Sequence, residues 1–291
     1  MKILILLKKI PGGVGGGVKN IKNELTLLGH KVDFISREED LKIYSFLGSI
    51  LKIRSLVKRL MKKENYDVIY TQDWSLAAPL LLPYPLFKKK HFCMFHGNQL
   101  GKLKIIQNTI GKLMGRHLLV MAPSLKRRFP KASINYCGVS LEKFKDMKKK
   151  RKYLGWISKG TEILKKEELE ILSKKLDLPL LVASGLKHEE MNDKFYSLCK
   201  VFISMPPASA GFQASWLESM TAGVPIVIGN DNGAGEVQPF PKVPQEKEHD
   251  LNFIANLIKS QKGTNYVSWV KQNNFTWKRH SENLIKIFNK I

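Results

Sequence analysis

Cysteines and long apolar runs are both scarce in this sequence of 291 residues. The three cysteines, Cys93, Cys137 and Cys199, are an odd number without Cys-x-x-Cys spacing, which argues against a disulfide framework and a structural zinc site. No uncharged apolar segment reaches the roughly 18 residues that cross a membrane, and Met1–Leu7 is too short for a signal-peptide core. These absences predict a cytoplasmic protein with free thiols, and the 43% of hydrophobic residues predicts a folded chain.

Acidic residues are also scarce, above all in the first half of the chain. The sequence has 25 Asp and Glu against 49 Lys and Arg, a formal net charge of +24. Residues 1–150 hold 30 basic and 10 acidic side chains, whereas residues 151–291 hold 19 and 15. A general preference for lysine is one explanation, but it would not empty the first half of acids. The distribution therefore favours contact with an anionic partner.

Apolar segments alternate along the chain in a way that predicts parallel sheets. Residues 2–7 are apolar throughout, as in a strand buried on both faces. A glycine-rich segment follows at 11–17, then apolar residues at helical spacing up to Gly29 and a second strand at 32–35. Repeated strand and helix patterns predict a doubly wound α/β domain over residues 1–148.

The same alternation restarts after a lysine-rich segment at 143–152, which we interpret as a hinge. It predicts a second doubly wound domain over 149–265. The tail 266–291 is predicted to be a C-terminal helix that crosses back to the first domain. The expected fold class is α/β, with two Rossmann-like domains facing across a cleft and a ligand site at their carboxyl edges.

The glycine-rich segment lacks the Lys-Ser/Thr pair of a P-loop, and its spacing differs from Gly-x-Gly-x-x-Gly. ATP hydrolysis and the usual NAD site are therefore disfavoured. Without side chains at Gly12, Gly13, Gly15, Gly16 and Gly17, backbone amides could approach a diphosphate closely. A tight turn with no ligand remains the alternative.

The most specific segment is 204–227, which contains Gly211-Phe212-Gln213 and then Leu217-Glu218-Ser219-Met220-Thr221-Ala222-Gly223-Val224-Pro225. It resembles the donor-site motif of the GT-B glycosyltransferases, specifically the retaining glycosyltransferase family 4. The resemblance covers most of the chain, because further family-like segments occur in the expected order at Gly12-Gly13-Val14, Gly29-His30-Lys31-Val32, Phe95-His96-Gly97, Ala122-Pro123-Ser124 and Leu154-Gly155-Trp156.

This resemblance implies a hexosyltransferase-like enzyme that takes its sugar from a nucleotide-diphosphate donor, with retention and without a cofactor. It implies that Lys159 neutralises the leaving diphosphate, that Glu218 binds the ribose hydroxyls, and that His96 contacts the transferred sugar as the catalytic residue. The other donor-binding residues that it implies are Gly12, Gly13, Gly16, Gly211, Phe212 and Gln213. No Asp-x-Asp motif is present to hold a metal, so metal-independent transfer is expected.

Two departures from the family pattern prompt a different reading. Trp156 stands where the family has an arginine, and Ala210 stands where it has a glutamate that approaches the donor sugar. Gln213 is the nearest polar substitute. A catalytically inert homologue that binds nucleotide sugars is therefore an alternative to the enzyme.

The acceptor is expected to be anionic or presented at a membrane, because the resemblance assigns acceptor binding to the basic first half. Residues Leu47–Lys63 form a basic amphipathic pattern that could lie on anionic lipid at the cytoplasmic face. An ordinary packed helix with a solvated face explains the pattern equally well. A nucleic-acid acceptor is less favoured, since few aromatic residues are interleaved with the basic ones.

Overall fold

The computed structural model describes residues 1–291 except 11–12, 44–45, 84, 88–89, 98–101, 159–162, 208–211, 230–240, 262–264 and 291. The side chains at 13, 46–49 and 102 are not described either. The chain divides into two compact units, which are Met1–Cys137 with Trp277–Ile291, and Gly138–Thr276.

Unit 1 is built on a parallel sheet of six strands. The strands are β1 (Lys2–Leu7), β2 (Lys31–Ser36), β3 (Val68–Thr71), β4 (His91–Phe95), β5 (Leu118–Val120) and β6 (Ser133–Ile134). Their order in the sheet is β2-β1-β3-β4-β5-β6. The helices are α1 (Gly13–Leu27), α2 (Phe46–Glu64), α3 (Trp74–Leu81), α4 (Lys102–Met114), α5 (Pro123–Arg128) and α11 (Trp277–Asn289).

Unit 2 is built on a parallel sheet of five strands. The strands are β7 (Tyr153–Trp156), β8 (Leu180–Val182), β9 (Cys199–Ser204), β10 (Ile226–Gly229) and β11 (Lys242–Val243). Their order is β11-β10-β9-β7-β8. The helices are α6 (Lys166–Leu176), α7 (Met191–Lys194), α8 (Ala214–Thr221), α9 (Leu251–Ser260) and α10 (Val267–Gln272). Both units are thus doubly wound α/β layers, which confirms the predicted fold class.

The position of β1 in its sheet explains why its sequence is apolar throughout. Residues 3–7 of β1 lie between β2 and β3 and are all buried, because helices cover both faces of a parallel sheet. In each sheet the later strands lie on both sides of the first strand, which is β1 in unit 1 and β7 in unit 2. The order in which the strands are added therefore reverses its direction at that strand. Ligands bind beyond the carboxyl ends of strands at such a reversal point. The loops after β1 and β3 in unit 1, and after β7 and β9 in unit 2, are therefore the places to look for a site.

The division between the units falls at Cys137/Gly138, not at the predicted 148/149. The lysine-rich segment belongs to unit 2, and two of its residues are held there by contacts with other parts of the unit. Phe144 is buried and lies 5.9 Å from the ring of Tyr196. The Arg151 guanidinium donates to the Ala222 carbonyl at 2.7 Å. Charge repulsion alone suggested a hinge, whereas these contacts hold the segment against unit 2.

The tail is two helices, contrary to the single predicted helix. Helix α10 ends before Asn273–Thr276, and α11 begins at Trp277. Asn274 has a positive φ of 51°, and the Phe275 ring stacks on Trp269 and Phe212 with centroids 5.1 and 5.8 Å apart. These contacts end α10 within unit 2. Helix α11 packs on α1 in unit 1.

The glycines of the segment 13–17 lie in helix α1. The prediction that these glycines form a loop is therefore wrong. Gly13, Gly15, Gly16 and Gly17 belong to α1. A Cβ at Gly15 would lie 1.8 Å from the Ile10 carbonyl oxygen, and one at Gly17 would lie 3.0 Å from the Trp277 ring. Close packing therefore requires glycine at 15 and favours it at 17. A Cβ at Gly16 would meet nothing within 4 Å.

Helix α2 turns its apolar side to the core. Ile53, Val57 and Met61 are buried in one cluster with residues of β1 and β3. Arg54 is one of the basic residues of the Leu47–Lys63 pattern, but it is buried and its Nη1 donates to the carbonyls of Pro79 and Leu82 at 3.2 and 2.8 Å. The apolar face of α2 is therefore packed against the core, as the interpretation of this segment as an ordinary packed helix predicted. Among the residues that the structure describes, no helix is long and apolar enough to cross a membrane.

Candidate functional site

A buried carboxylate lies at the carboxyl edge of the sheet in unit 2. Glu218 is on α8, the helix that follows β9, and is 8% exposed. The Tyr196 hydroxyl donates to its Oε2 at 3.0 Å, and His188 Nε2 lies 2.8 Å from its Oε1. Both carboxylate oxygens are thus held by protein groups, so the position of the carboxylate is fixed before any ligand binds.

His188 reaches Glu218 from the loop that follows β8. Gly185 in that loop has a positive φ of 72°, which turns the chain towards the short 3-10 turn His188–Glu190. The hydrogen bond to Glu218 raises the pKa of His188 above its ordinary value. Burial raises the pKa of Tyr196 and keeps its hydroxyl protonated as a donor. The three side chains therefore form one hydrogen-bonded network.

This network was not predicted beyond Glu218 itself. His188 and Tyr196 lie in segments with no motif, and they reach Glu218 only because the loops after β8 and before β9 converge on α8. Each carboxylate oxygen has two lone pairs, so Glu218 can accept a further hydrogen bond from a ligand hydroxyl. Its implied role towards ribose stays a prediction.

The two residues before α8 belong to the same edge. The Phe212 side chain is buried edge-on against the Trp216 ring, with centroids 5.5 Å apart, so a ligand can contact this residue only through its backbone. Trp216 Nε1 in turn donates to Ser204 Oγ at 2.9 Å. Gln213 stands at the N-cap position of α8, half-buried, and its Oε1 lies 3.4 Å from Ser215 Oγ. Gln213 therefore lies at the N-terminal end of α8, where the loop that follows β9 meets the helix.

Three implied donor residues lie outside the described residues, namely Gly12, Lys159 and Gly211, and so does Ala210, which stands in place of the family's glutamate. Gly13 and Gly16 lie in the first turns of α1 in unit 1. Trp156 ends β7 and is 7% exposed in the core of unit 2. Its indole N–H has no acceptor among the described residues. Position 156 therefore supplies no cation to the sheet edge.

His96 lies at the carboxyl edge of the sheet in unit 1, directly after β4. Its Nε2 donates to Gln72 Oε1 at 3.0 Å, and its Nδ1 lies 2.8 Å from Met121 Sδ. Gln72 and Met121 follow β3 and β5, so three adjacent strand ends supply this group. The limited access of water to the ring lowers the pKa of His96 to about 4. His96 is therefore neutral at pH 7 and carries its proton on Nε2.

Asp73 lies beside this group but has a structural role. Its Oδ1 accepts from the Ser75 amide at 2.7 Å and caps the N-terminus of α3. Burial raises the pKa of its carboxyl. Across the described residues, no three or more His, Cys, Asp or Glu side chains come together as metal ligands do. Metal-independent transfer stays a prediction.

No protein-family model matches the sequence, and no curated protein matches it in sequence. Solved structures share its fold over the whole chain. A sucrose-phosphate synthase from Thermosynechococcus elongatus has a TM-score of 0.73 at 14% identity and matches 100% of this chain and 99% of its own. A glycosyltransferase from Rickettsia africae has a TM-score of 0.68 at 17% identity, over 99% and 98%.

A third neighbour is Anabaena HepE in complex with UDP-glucose, with a TM-score of 0.67 at 13% identity over all of both chains. At such low identity the likeness establishes the fold. The fold is the GT-B type, with two doubly wound α/β units, and these neighbours are glycosyltransferases that match this chain at full length.

Proposed function

We propose that this protein is a glycosyltransferase that moves a sugar from a nucleotide-diphosphate donor, with retention, to an acceptor that is anionic or presented at an anionic surface. The observation that carries the proposal is Glu218. Its carboxylate is held by His188 and Tyr196 at the carboxyl edge of unit 2, on the helix that bears the donor-like motif. A fold shared at full length with glycosyltransferases supports the same function.

Unit 2 binds the donor in this proposal. Glu218 accepts from the ribose hydroxyls, which become fixed because the carboxylate cannot rotate away from its two donors. Cleavage of the bond between sugar and phosphate develops negative charge on the leaving diphosphate. Lys159 and the amides of the loop before α8 stabilise that charge. The UDP-glucose bound in one neighbour makes UDP-sugars the first donors to test.

Unit 1 contributes His96 to the transferred sugar. Because its pKa is lowered to about 4, the ring is neutral at pH 7 and forms hydrogen bonds to hydroxyls without adding charge. Gln72 fixes the tautomer by accepting from Nε2. The excess of cations in the first half of the chain attracts the acceptor, so activity should fall as salt shortens the Debye length below about 8 Å.

The test is to incubate the protein with a panel of nucleotide-diphosphate sugars and a cell lipid extract, and to analyse the products by mass spectrometry. We expect release of the nucleoside diphosphate and lipid products heavier by one sugar. Lys159→Ala should abolish both, whereas Lys174→Ala, which removes an exposed lysine on α6, should leave both unchanged. A failure to bind or turn over any donor would refute the proposal, and sugar transfer to duplex DNA would replace its acceptor.

A second candidate is an inert nucleotide-sugar-binding homologue, and the burial of Trp156 favours it. A family-like arginine there would supply a cation to the diphosphate, but the indole is packed in the core. Isothermal titration separates the two candidates. Donor binding that Glu218→Gln weakens, without turnover of any donor in the panel, would favour the inert protein.

A further inference from the structure

The charge of Glu218 is balanced, among the residues that the structure describes, by a side chain that titrates. His188 Nε2 lies 2.8 Å from Glu218 Oε1, whereas the group at Oε2 is the neutral hydroxyl of Tyr196. No lysine or arginine in the described part of the chain forms an ion pair with Glu218. Within this network, the carboxylate therefore has a counter-charge only while His188 is protonated.

His188 is held in this contact by an aromatic ring. Phe144 is buried, and its ring lies edge-on to the His188 imidazole with centroids 5.3 Å apart. The same ring lies edge-on to Tyr196, with centroids 5.9 Å apart. Both groups that bind Glu218 thus pack against Phe144. A neutral imidazole with its proton on Nε2 can still donate to Glu218, so deprotonation removes the charge of His188 and leaves the contact in place.

His188 is also accessible to protons from the solvent. Its side chain is 40% exposed, whereas that of Glu218 is 10% exposed. The charged groups that face His188 are Glu218 from α8, Lys143 from the segment before β7 and Glu189 from its own turn. The hydrogen bond to Glu218 has the largest effect and raises the pKa of His188, although burial and Lys143 act in the opposite direction. His188 therefore loses its charge above about pH 6.5.

The charge of His188 matters because the proposed donor is an anion. In the proposed function Glu218 accepts hydrogen bonds from the ribose hydroxyls, and the diphosphate is linked covalently to that ribose. Two negative charges then come close to a buried carboxylate, where water screens them weakly. A neutral His188 leaves the carboxylate to repel the diphosphate, whereas a charged His188 cancels this repulsion.

We propose that His188 is a positioning residue that prepares Glu218 for the donor in its protonated form, so that donor binding is coupled to the uptake of a proton. His188 acts through Glu218 and needs no contact of its own with the donor. The inference rests on the proposed binding of the donor ribose at Glu218. Donors bind most tightly while His188 is charged and more weakly as the pH rises through the pKa of His188 in the folded protein.

A second pair of histidine and glutamate in unit 2 offers a matched control. His249 Nδ1 lies 2.7 Å from Glu168 Oε1, and the His249 side chain is 66% exposed. Glu168 lies in the first turn of α6, on a different helix from Glu218. The two pairs have the same chemistry and nearly the same spacing, but His249 does not contact the network around Glu218.

The test is isothermal titration with UDP-glucose from about pH 6 to about pH 8.5, on either side of the region in which His188 titrates. Both phosphates of UDP-glucose are diesters and keep their charge over this range, so a change in affinity reports on the protein. We expect the Kd to rise about fivefold with pH, at the low end of the coupling between two sites. By linkage, this corresponds to an uptake of about 0.3 proton per donor bound, averaged over the range. Titrations in buffers with different ionisation enthalpies measure this uptake directly.

Three variants separate the charge of His188 from its packing. His188→Gln can still donate to Glu218 but is never charged, so its Kd should be independent of pH and close to the wild-type value at high pH. Tyr196→Phe removes the neutral donor and should weaken binding at every pH, with the dependence on pH retained. His249→Gln should behave as the wild type does. Circular dichroism checks that the variants fold, and the proton uptake of the wild type does not depend on them.

Three results would overturn the proposal. The wild type could bind UDP-glucose with the same Kd over the whole range. Binding could release protons instead of taking them up. A folded His188→Gln variant could also keep the wild-type dependence on pH, which would assign the titration to another group. Failure to bind any nucleotide sugar at any pH is a different outcome, because it would refute the proposed function and this inference with it.

Discussion

Two neighbouring glycines in α1 should respond in opposite ways to the same substitution. Gly15→Ala places a Cβ 1.8 Å from the Ile10 carbonyl oxygen, which is backbone and cannot rotate away, so we expect a loss of about 1–3 kcal/mol. Gly16→Ala meets nothing within 4 Å and should stabilise the helix by up to about 1 kcal/mol. For a unit of this size each kcal/mol shifts Tm by roughly 2–4 °C.

The measurement is thermal and urea unfolding of the two variants beside the wild type, followed by circular dichroism. Equal or higher stability of Gly15→Ala would refute the close approach of α1 to Ile10, and an equal loss in both variants would refute the open space at Gly16. The same pair tests the donor role implied for Gly16. If a diphosphate binds there, Gly16→Ala should weaken nucleotide binding while the protein becomes more stable.

Three further outcomes are expected. The hydrogen bond to Glu218 raises the pKa of His188 in the folded protein, so the charged His188 stabilises the fold fully below about pH 6.5. This stabilisation is lost as the pH rises through the folded pKa, and free energies of unfolding measured at several pH values should show the loss. The Glu218→Gln variant should no longer show this pH dependence. Burial lowers the pKa of His280 to about 4, so stability should fall as pH drops below about 6.5, and a His280→Gln variant that keeps the same acid dependence would contradict this. Arg54→Ala should cost about 1–3 kcal/mol in urea unfolding because two carbonyls lose their donor, whereas Lys58→Ala on the exposed face should change stability by less than about 0.5 kcal/mol.

Local patterns in the sequence predicted most of the strands and helices. The apolar run 2–7 became β1, and the strand expected at 32–35 became part of β2, which is Lys31–Ser36. Such runs are informative because a central strand of a parallel sheet is covered on both faces. The glycine-rich segment was harder to interpret. Glycine is a poor helix former, so a loop was expected, but the close approach of Ile10 and Trp277 requires backbone without side chains within a helix.

The candidate sites were predicted in part. Glu218 and His96 were identified from motifs that resemble a known family, and both lie at the carboxyl edges of their sheets. Their partners could not be predicted. Gln72, His188 and Tyr196 have no motif around them, and each lies more than 20 residues from the residue that it binds. Sequence spacing carries no information on hydrogen bonds between loops that follow different strands.

By itself, the sequence determined the architecture and the charge of this protein. Alternating apolar patterns specified two doubly wound units, and the shortage of acids specified a basic first half. Only the tertiary structure decided which faces were covered: α2 lies with its apolar side and Arg54 inwards, and α4 lies with Ile110 and Met114 in the core. The physical reason is that periodicity reports which face of a helix is apolar, whereas the neighbour that covers this face is set by contacts between residues distant in the chain.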